Sequence, residues 1–257
     1  MIQRPQIPPA YRLVTLTSDV DLGSEARRMA VEGADDGTLL WVTRDDKLDC
    51  AVILHPDDPL ERAVLVVYVA MLGLNDGLGV VVPPMTEVTF SWPNRIEANG
   101  ASAGAIGIDV PNGAALGSVP DWLVVYATVA VAPPVGSDAK LRDPASLDKG
   151  VTTLREEGCS DVTPADILEA FARHFLTWVN RWQDDGFEPI RARWLQHAPD
   201  NGKAVDIDVG GEKIAGTFVG IDDDGSLILD SEGASRRVGL GDVLFASRQG
   251  KRARRHR

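Results

Sequence analysis

Cysteine is scarce in this chain of 257 residues, which contains only two. Cys50 and Cys159 lie far apart and do not have the short spacings of a metal-binding motif. A small secreted domain held together by disulfides is therefore excluded, and unpaired thiols are typical of a reducing compartment. We expect a cytoplasmic protein without a disulfide framework.

Long hydrophobic runs and histidine clusters are also missing. The first twelve residues include no apolar segment of the signal-peptide kind, and the longest apolar run, residues 63–74, is shorter than a membrane-spanning helix requires. The four histidines are scattered along the chain, at His55, His174, His197 and His256. We therefore predict no export signal, no membrane contact and no metal site.

The charge is strongly acidic except at the C-terminal end. The formal net charge is −12, yet residues 248–257, RQGKRARRHR, carry six of the 26 Lys and Arg and no acid. The remaining 20 basic residues face 38 Asp and Glu, so the body of the protein repels phosphate backbones. We expect no nucleic-acid partner for the body and a disordered basic tail at the end, which is the one segment able to contact nucleic acid.

Secondary-structure signals predict an α+β fold: a mixed, largely antiparallel sheet backed by helices. Nearly continuous apolar strands are predicted at residues 38–43, 48–54 and 122–132, an edge strand at 11–17, short helices at 24–32 and 187–194, and a loop at 135–161. The two main helices are residues 60–78, with Pro59 in the first turn, and residues 165–184, which follow an N-cap at Thr163. Apolar residues at three- and four-residue spacing in the second helix indicate core packing.

The last part of the chain changes character. From residue 203 onward, short apolar segments alternate with turns at Gly210-Gly211 and at residues 222–225. Strands predicted at 204–209, 213–221, 226–229, 236–238 and 243–246 indicate a small SH3-like β-barrel. We divide the chain into a domain of residues 1–197, the barrel at 198–247 and the basic tail at 248–257.

Residues 90–107, FSWPNRIEANGASAGAIG, combine a strand end, a rigid turn and a strand of small residues. Pro93 fixes its own φ and favours extended backbone at Trp92, so the strand predicted at 87–92 ends there. Asn99-Gly100 suits a two-residue hairpin turn leading into a second strand at 101–110. The small residues of that strand leave its backbone accessible to a ligand or to a neighbouring helix.

This stretch resembles the active-site hairpin of biotin protein ligases, whose pattern reads Lys-Trp-Pro-Asn-Asp, a turn, then Lys-x-x-Gly-Ile. Trp92, Pro93, Asn94 and Gly104 match that pattern. Ser91 stands at the first lysine, Ala101 or Ser102 at the second, and Arg95 replaces the aspartate. The order of turns after residue 198 is also similar to the C-terminal domain of the same family.

The resemblance implies a biotin/lipoate protein ligase-like protein. Such ligases use ATP with magnesium to convert biotin or lipoate to an acyl-adenylate, and then attach the acyl group to a lysine of a carrier domain. The family's Gly-Arg-Gly-Arg loop corresponds by order to residues 43–47, where Arg44 is followed by Asp45 and Asp46. The candidate ligand-binding residues are Arg44, Trp92, Asn94, Arg95 and Gly104.

The departures from the family pattern leave two functions open, because adenylation needs positive charge where two anions meet. Losing one well-placed donor costs roughly 2.7–4 kcal/mol of transition-state stabilisation. The first function is ligation with a relocated set of cations. The second is a non-catalytic family member that binds an acyl ligand, an acylated carrier or a protein partner.

Overall fold

The computed structural model describes residues 5–133, 150–209 and 211–245. A seven-stranded mixed sheet forms the centre of its larger module. In chain order the strands are β1 (Arg12–Leu16), β2 (Thr38–Val42), β3 (Lys47–Leu54), β4 (Val88–Ser91), β5 (Arg95–Ala98), β6 (Ala101–Asp109) and β7 (Leu123–Ala130). Their spatial order is β1-β2-β3-β7-β6-β5-β4, and only the β1–β2 pair of this sheet is parallel. The predicted fold class is confirmed.

Five helices are named in the described part of the chain: α1 (Leu22–Val31), α2 (Leu60–Ala63), α3 (Val66–Val81), α4 (Pro164–Asp185) and α5 (Glu188–Gln196). The helix predicted at residues 60–78 is divided between α2 and α3, and Pro59 is the N-cap of α2 rather than a first-turn residue. At the start of α4, the Thr163 hydroxyl accepts a hydrogen bond from the backbone N–H of Asp166, and the Asp166 carboxylate accepts one from the backbone N–H of Thr163. This reciprocal cap explains why the helix begins where the sequence predicts.

The core lies between the sheet and the α3–α4 pair. A Cβ at Gly73 would lie 2.7 Å from the Phe175 Cα of α4, so glycine at this position allows the two helix backbones to approach closely. The apolar helical segment Leu60–Val81 is longer than the run counted in the sequence, and it has the length and hydropathy of a membrane-spanning helix. Most of that segment is buried inside the fold, as expected for a core helix.

The turn at Trp92-Pro93 is followed by a strand that the sequence analysis missed. β5 pairs with β4 on one side and with β6 on the other, so Asn99-Gly100 joins β5 to β6. The predicted direct hairpin between residues 87–92 and 101–110 is therefore wrong. The four residues of β5 include two charged side chains, and their strand conformation comes from pairing on both edges rather than from an apolar pattern.

The C-terminal module contains a four-stranded antiparallel sheet. Its strands are β8 (Ala204–Val209), β9 (Glu212–Ile221), β10 (Leu227–Ser231) and β11 (Ala234–Val238), in the order β11-β10-β9-β8. Residues 240–245 are helical, so the strand predicted at 243–246 is wrong over its described residues. Leu240, Val243 and Leu244 pack toward the core at helical spacing. Closure into an SH3-like barrel stays a prediction, as do the domain boundaries.

Two predicted segments fall wholly or partly outside the described residues. The basic tail, residues 248–257, is one of them, and residues 134–149 of the predicted loop are the other. Residues 150–162 belong to neither a named helix nor a named strand. Val151 forms an isolated bridge with Ser102 at the start of β6, so this segment continues the sheet where β7 ends.

Candidate ligand-binding site

The two faces of the large sheet are covered differently. On one face, Cys50, Val52 and Val125 are buried in the cluster that contains α3 and α4. On the other face, α1 covers only part of the surface, around Ala51 and Ile53. No helix of the described residues covers the remaining part of this second face, which includes half-buried and exposed side chains, and we call this part the open face.

A row of side chains crosses five strands on the open face. The strand register places Asp49, Thr128, Ala105, Arg95 and Ser91 opposite one another on β3, β7, β6, β5 and β4. Directly opposed residues of antiparallel strands point to the same face of the sheet. All five are half-buried or exposed, so the row defines a continuous surface that a ligand can reach.

Arg44 lies beside one end of this row, in the turn between β2 and β3. Its Nε and Nη2 atoms donate hydrogen bonds of 2.6 and 2.8 Å to the two carboxylate oxygens of Asp46, and its Nη1 lies 3.9 Å from Asp49 Oδ2. Lys47 Nζ is 2.7 Å from the same Asp49 oxygen. The hydrogen bonds between the two side chains lower the pKa of the Asp46 carboxyl and raise the pKa of the Arg44 guanidinium. The positive charge of this turn is thus largely compensated by neighbouring carboxylates.

Arg95 lies farther along the same row and is in a different electrostatic state. Three strand spacings separate β3 from β5, which is about 14 Å. The Arg95 side chain is exposed. It makes no hydrogen bond or ion pair within the described ranges, 5–133, 150–209 and 211–245. Its guanidinium is therefore available to an anion, and a planar guanidinium binds a carboxylate or phosphate through two parallel hydrogen bonds.

The side chains of the Trp-Pro turn are engaged within the protein. Trp92 is buried, precedes a cis peptide bond to Pro93, and donates from Nε1 to the Tyr68 hydroxyl at 2.8 Å. Asn94 donates from Nδ2 to the backbone carbonyl of Ile106 at 2.6 Å, and the backbone carbonyl of Asn94 accepts from the Ile106 N–H at 2.9 Å. These contacts fix the turn against α3 and β6, next to Arg95.

Gly104 lies on β6 between Ile96 of β5 and Val129 of β7. A Cβ at this position would be 2.3 Å from the carbonyl oxygen of Thr128. No side chain fits at that distance, so glycine allows β6 to pair closely with β7 beside a register shift in β5. This packing accounts for the glycine, while its role in ligand binding stays a prediction.

The structure therefore brings together four of the five predicted residues. Trp92, Asn94, Arg95 and Gly104 lie on adjacent strands or in the turn between them, whereas Arg44 lies at the other end of the row. Two cavities, of about 450 and 390 Å³, lie elsewhere, and neither is lined by any of the five residues. The described residues contain no group of three or more His, Cys, Asp or Glu side chains able to hold a metal ion.

Two features of this region were not predicted. The Tyr68 hydroxyl accepts from Trp92 and donates to the carbonyl of Gly225 at 2.6 Å, which connects the Trp-Pro turn to the C-terminal module. Glu97, on β5, is a buried carboxylate that contacts Ser91. The alternation Arg-Ile-Glu-Ala around Glu97 was the available signal for β5, but Asp200, which also approaches Ser91, is 109 residues away in the chain.

Comparison with known proteins places this chain in a family. Residues 7–196 match the model of the biotin/lipoate A/B protein ligase family, and residues 201–245 match that of the biotin protein ligase C-terminal domain. The chain therefore belongs to the biotin/lipoate A/B protein ligase family. It is a ligase-like protein with the family's C-terminal domain, and the resemblance stated from its sequence is confirmed.

Individual relatives agree with this assignment. The chain is 28% identical over 205 residues to a biotin–[acetyl-CoA-carboxylase] ligase of Paracoccus denitrificans, covering 80% of this chain and 82% of that protein. It resembles the structure of a biotin protein ligase-like protein of unknown function from a Silicibacter species, with 29% identity, a TM-score of 0.81, and 93% and 99% of the two chains covered. The fold is also that of the Aquifex aeolicus biotin protein ligase in complex with biotin and ATP, at 16% identity, a TM-score of 0.67, and 90% and 96% coverage.

Proposed function

We propose that this protein binds a biotin- or lipoate-type carboxylic acid on the open face and, with ATP and magnesium, attaches it through an acyl-adenylate to a lysine of a carrier domain. The observation that carries the proposal is Arg95. It is exposed on the open face next to the Trp-Pro turn, and it has no partner in the described part of the chain. The Paracoccus relative named as a biotin ligase and the Aquifex ligase complex with biotin and ATP support the choice of ligand.

The residues of the open face fit the acid better than they fit the triphosphate. One carboxylate matches the Arg95 guanidinium in charge and geometry, because that guanidinium has no ion-pair partner among the described residues. A triphosphate with its developing charge needs several donors or cations. Arg44 and Lys47 already contact Asp46 and Asp49. For Arg44 to help orient a phosphate, it has to exchange these carboxylates for the ligand.

The alternative is a family member that binds an acyl ligand, an acylated carrier or a protein partner without forming an adenylate. The engagement of Arg44 by two carboxylates favours this alternative, because a compensated guanidinium contributes little attraction to a second anion. Both functions share the acid-binding face. They differ in whether pyrophosphate is released from ATP.

Pyrophosphate release therefore separates the two. The protein is incubated with ATP and magnesium and with biotin, lipoate or octanoate in turn, and release is measured with and without the acid. Acid-dependent release that is lost in Arg44→Ala and kept in Arg12→Ala, an exposed ion-paired arginine of β1, supports ligation. Acid binding without release supports the binding protein. If none of the three acids binds and none of them causes release of pyrophosphate, the proposal is contradicted.

The setting of this function is part of the proposal. We place the protein in the cytoplasm because both cysteines are buried and unbridged. We also propose that residues 1–197 and 198–247 are separate domains, supported by the separate family matches to residues 7–196 and 201–245. The predicted basic tail then follows the second domain.

A further inference from the structure

The cavity of about 390 Å³ lies where β3 ends and β7 begins, between α2 and the last turns of α4. We call it the α2–α4 cavity. Its floor is apolar, because the six lining residues that are buried or half-buried and carry hydrocarbon or indole side chains are Leu54, Ala63, Val66, Leu123, Val179 and Trp182. No described residue of the open-face row lines this cavity, so it is separate from the proposed acid-binding surface.

The rim of the α2–α4 cavity is acidic. Asp36, Asp57 and Asp58 line it, and all three are exposed. Among the described residues around the cavity, Arg62 is the only Lys or Arg, and its Nε lies 3.9 Å from Asp58 Oδ1. The Asp57 side chain makes no hydrogen bond or ion pair within the described ranges. Three carboxylates and one guanidinium leave an excess of negative charge above the apolar floor.

An arginine side chain suits both parts of this cavity. Its methylene groups can be buried against an apolar floor while the charged end stays near water. Its planar guanidinium packs well against an indole such as that of Trp182. The same guanidinium can donate two parallel hydrogen bonds to a carboxylate such as that of Asp57. The chemistry of the cavity therefore favours an arginine-rich segment and disfavours an anionic ligand.

The described chain ends close to this cavity. A Cβ at Gly225 would lie 2.7 Å from Leu65 Cδ2 and 3.2 Å from Leu240 Cδ2, so the last helical turn lies beside the segment that joins α2 to α3. Leu65 directly precedes Val66 of the cavity floor. The described residues end five positions after Leu240, and twelve residues follow. Twelve residues span at most about 40 Å, so the basic tail is long enough to reach the cavity.

We propose that the α2–α4 cavity binds the protein's own basic tail, residues 248–257, with one arginine side chain over Trp182 and its guanidinium beside Asp57. Charge favours this occupant, because the tail has six Lys and Arg and no acid, whereas the rest of the chain has 38 acidic and 20 basic residues. Attachment to the same chain favours it as well, since a segment on a short linker reaches an effective concentration of the order of mM. The bound tail directs its cations toward the protein's own carboxylates rather than toward a phosphate backbone.

Trypsin cleavage of the full-length protein tests this proposal. Trypsin cuts after Lys and Arg in accessible backbone, so a bound tail is removed more slowly than a free one. Loss of the tail is followed by intact mass at about 0.1 M and about 1 M salt, between which the Debye length falls from about 10 Å to about 3 Å. Each variant is compared with the wild type at the same salt concentration, which cancels the effect of salt on the protease.

Asp57→Asn removes one rim charge without adding a cleavage site. We expect its tail to be removed roughly two- to fivefold faster than the wild-type tail at the lower salt concentration, and at nearly the same rate at the higher one. Asp206→Asn is the matched control, because Asp206 is an exposed aspartate of β8 that makes no hydrogen bond or ion pair within the described ranges. Its tail should be removed at the wild-type rate. Trp182→Leu keeps the floor apolar but removes the indole, and should also accelerate cleavage.

Three results would overturn the proposal. Equal cleavage of the wild type and Asp57→Asn would show a tail that is free, as expected if it serves a nucleic-acid or protein partner instead. Equal acceleration in Asp57→Asn and Asp206→Asn would show diffuse attraction to the acidic body. Unchanged cleavage in Trp182→Leu would place the tail outside the cavity. The assay contains no biotin or ATP, so its outcome is independent of the proposed ligase function.

Discussion

Replacing Tyr68 with phenylalanine tests the link between the Trp-Pro turn and the C-terminal module. The Tyr68 hydroxyl is fully buried, accepts from Trp92 Nε1 at 2.8 Å and donates to the Gly225 carbonyl at 2.6 Å. Burial raises the pKa of Tyr68 above its usual range, so the hydroxyl keeps the proton that it donates. Phenylalanine retains the ring contacts with Phe187 and Trp194.

The expected loss follows from the two groups that remain without partners. A buried donor or acceptor left unsatisfied costs about 1–3 kcal/mol, and Tyr68→Phe leaves one of each. We expect the free energy of unfolding to fall by roughly 2–6 kcal/mol. Denaturant unfolding followed by tryptophan fluorescence measures this directly, since Trp92 is one of the affected groups.

Tyr11→Phe is the control for removing a tyrosine hydroxyl. In the part of the chain that the structure describes, Tyr11 makes no side-chain hydrogen bond, and its hydroxyl is not among the buried unpartnered atoms. We expect its free energy of unfolding to change by less than about 0.5 kcal/mol. If Tyr68→Phe loses no more stability than Tyr11→Phe, the link across the modules does not exist as described.

Three further substitutions test other parts of the structure. Burial lowers the pKa of His197 below its usual value of 6.5, so the unfolded state takes up a proton first as the pH falls through that value. His197→Gln should therefore lose less stability than the wild type in chemical unfolding as the pH is lowered below about 6.5, by only part of the limiting slope of about 1.4 kcal/mol per pH unit because the imidazole is partly exposed to solvent. Identical pH profiles of the two proteins would contradict the lowered pKa. Gly104→Ala should lower the free energy of unfolding by about 1–3 kcal/mol, because its Cβ forces β6 away from β7. Gly107→Ala should lower it much less, because its Cβ would lie 3.6 Å from the nearest atom. Equal losses of stability in thermal unfolding would refute the close approach of β6 and β7 at Gly104. Thr163→Ala removes the N-cap of α4 and should lower the free energy of unfolding by about 1 kcal/mol. An unchanged midpoint of urea unfolding would show that the cap does not stabilise the protein.

The sequence predicts those elements whose local pattern agrees with their place in the fold. α4 has a cap at Thr163 and an apolar stripe, and β7 is an apolar run, so both were located within a few residues. β5 was missed because the polar–apolar alternation of Arg95–Ala98 spans only four residues, and the segment becomes a strand by pairing with a neighbouring strand on each edge. The helical turn at residues 240–245 was mistaken for a strand because three apolar residues in a short segment fit either structure.

The candidate site was predictable where it depends on a local motif. The stretch around Trp92 identified the region, and four predicted residues lie there together. The engagement of Arg44 by Asp46 was foreseeable from their proximity in sequence, but the contact with Asp49 requires the β2–β3 turn. The contact between Ser91 and Asp200 was not predictable, because Asp200 reaches Ser91 only after α4 and α5 have packed.

The central claim is that an acid binds at Arg95 on the open face. The most direct measurement is calorimetric titration of biotin into the wild type, Arg95→Ala and Arg12→Ala. A charge-assisted hydrogen bond contributes about 1.5–3 kcal/mol, so we predict that Arg95→Ala weakens binding by roughly tenfold to hundredfold and that Arg12→Ala leaves it unchanged. Biotin binding of equal affinity in all three proteins would contradict the claim.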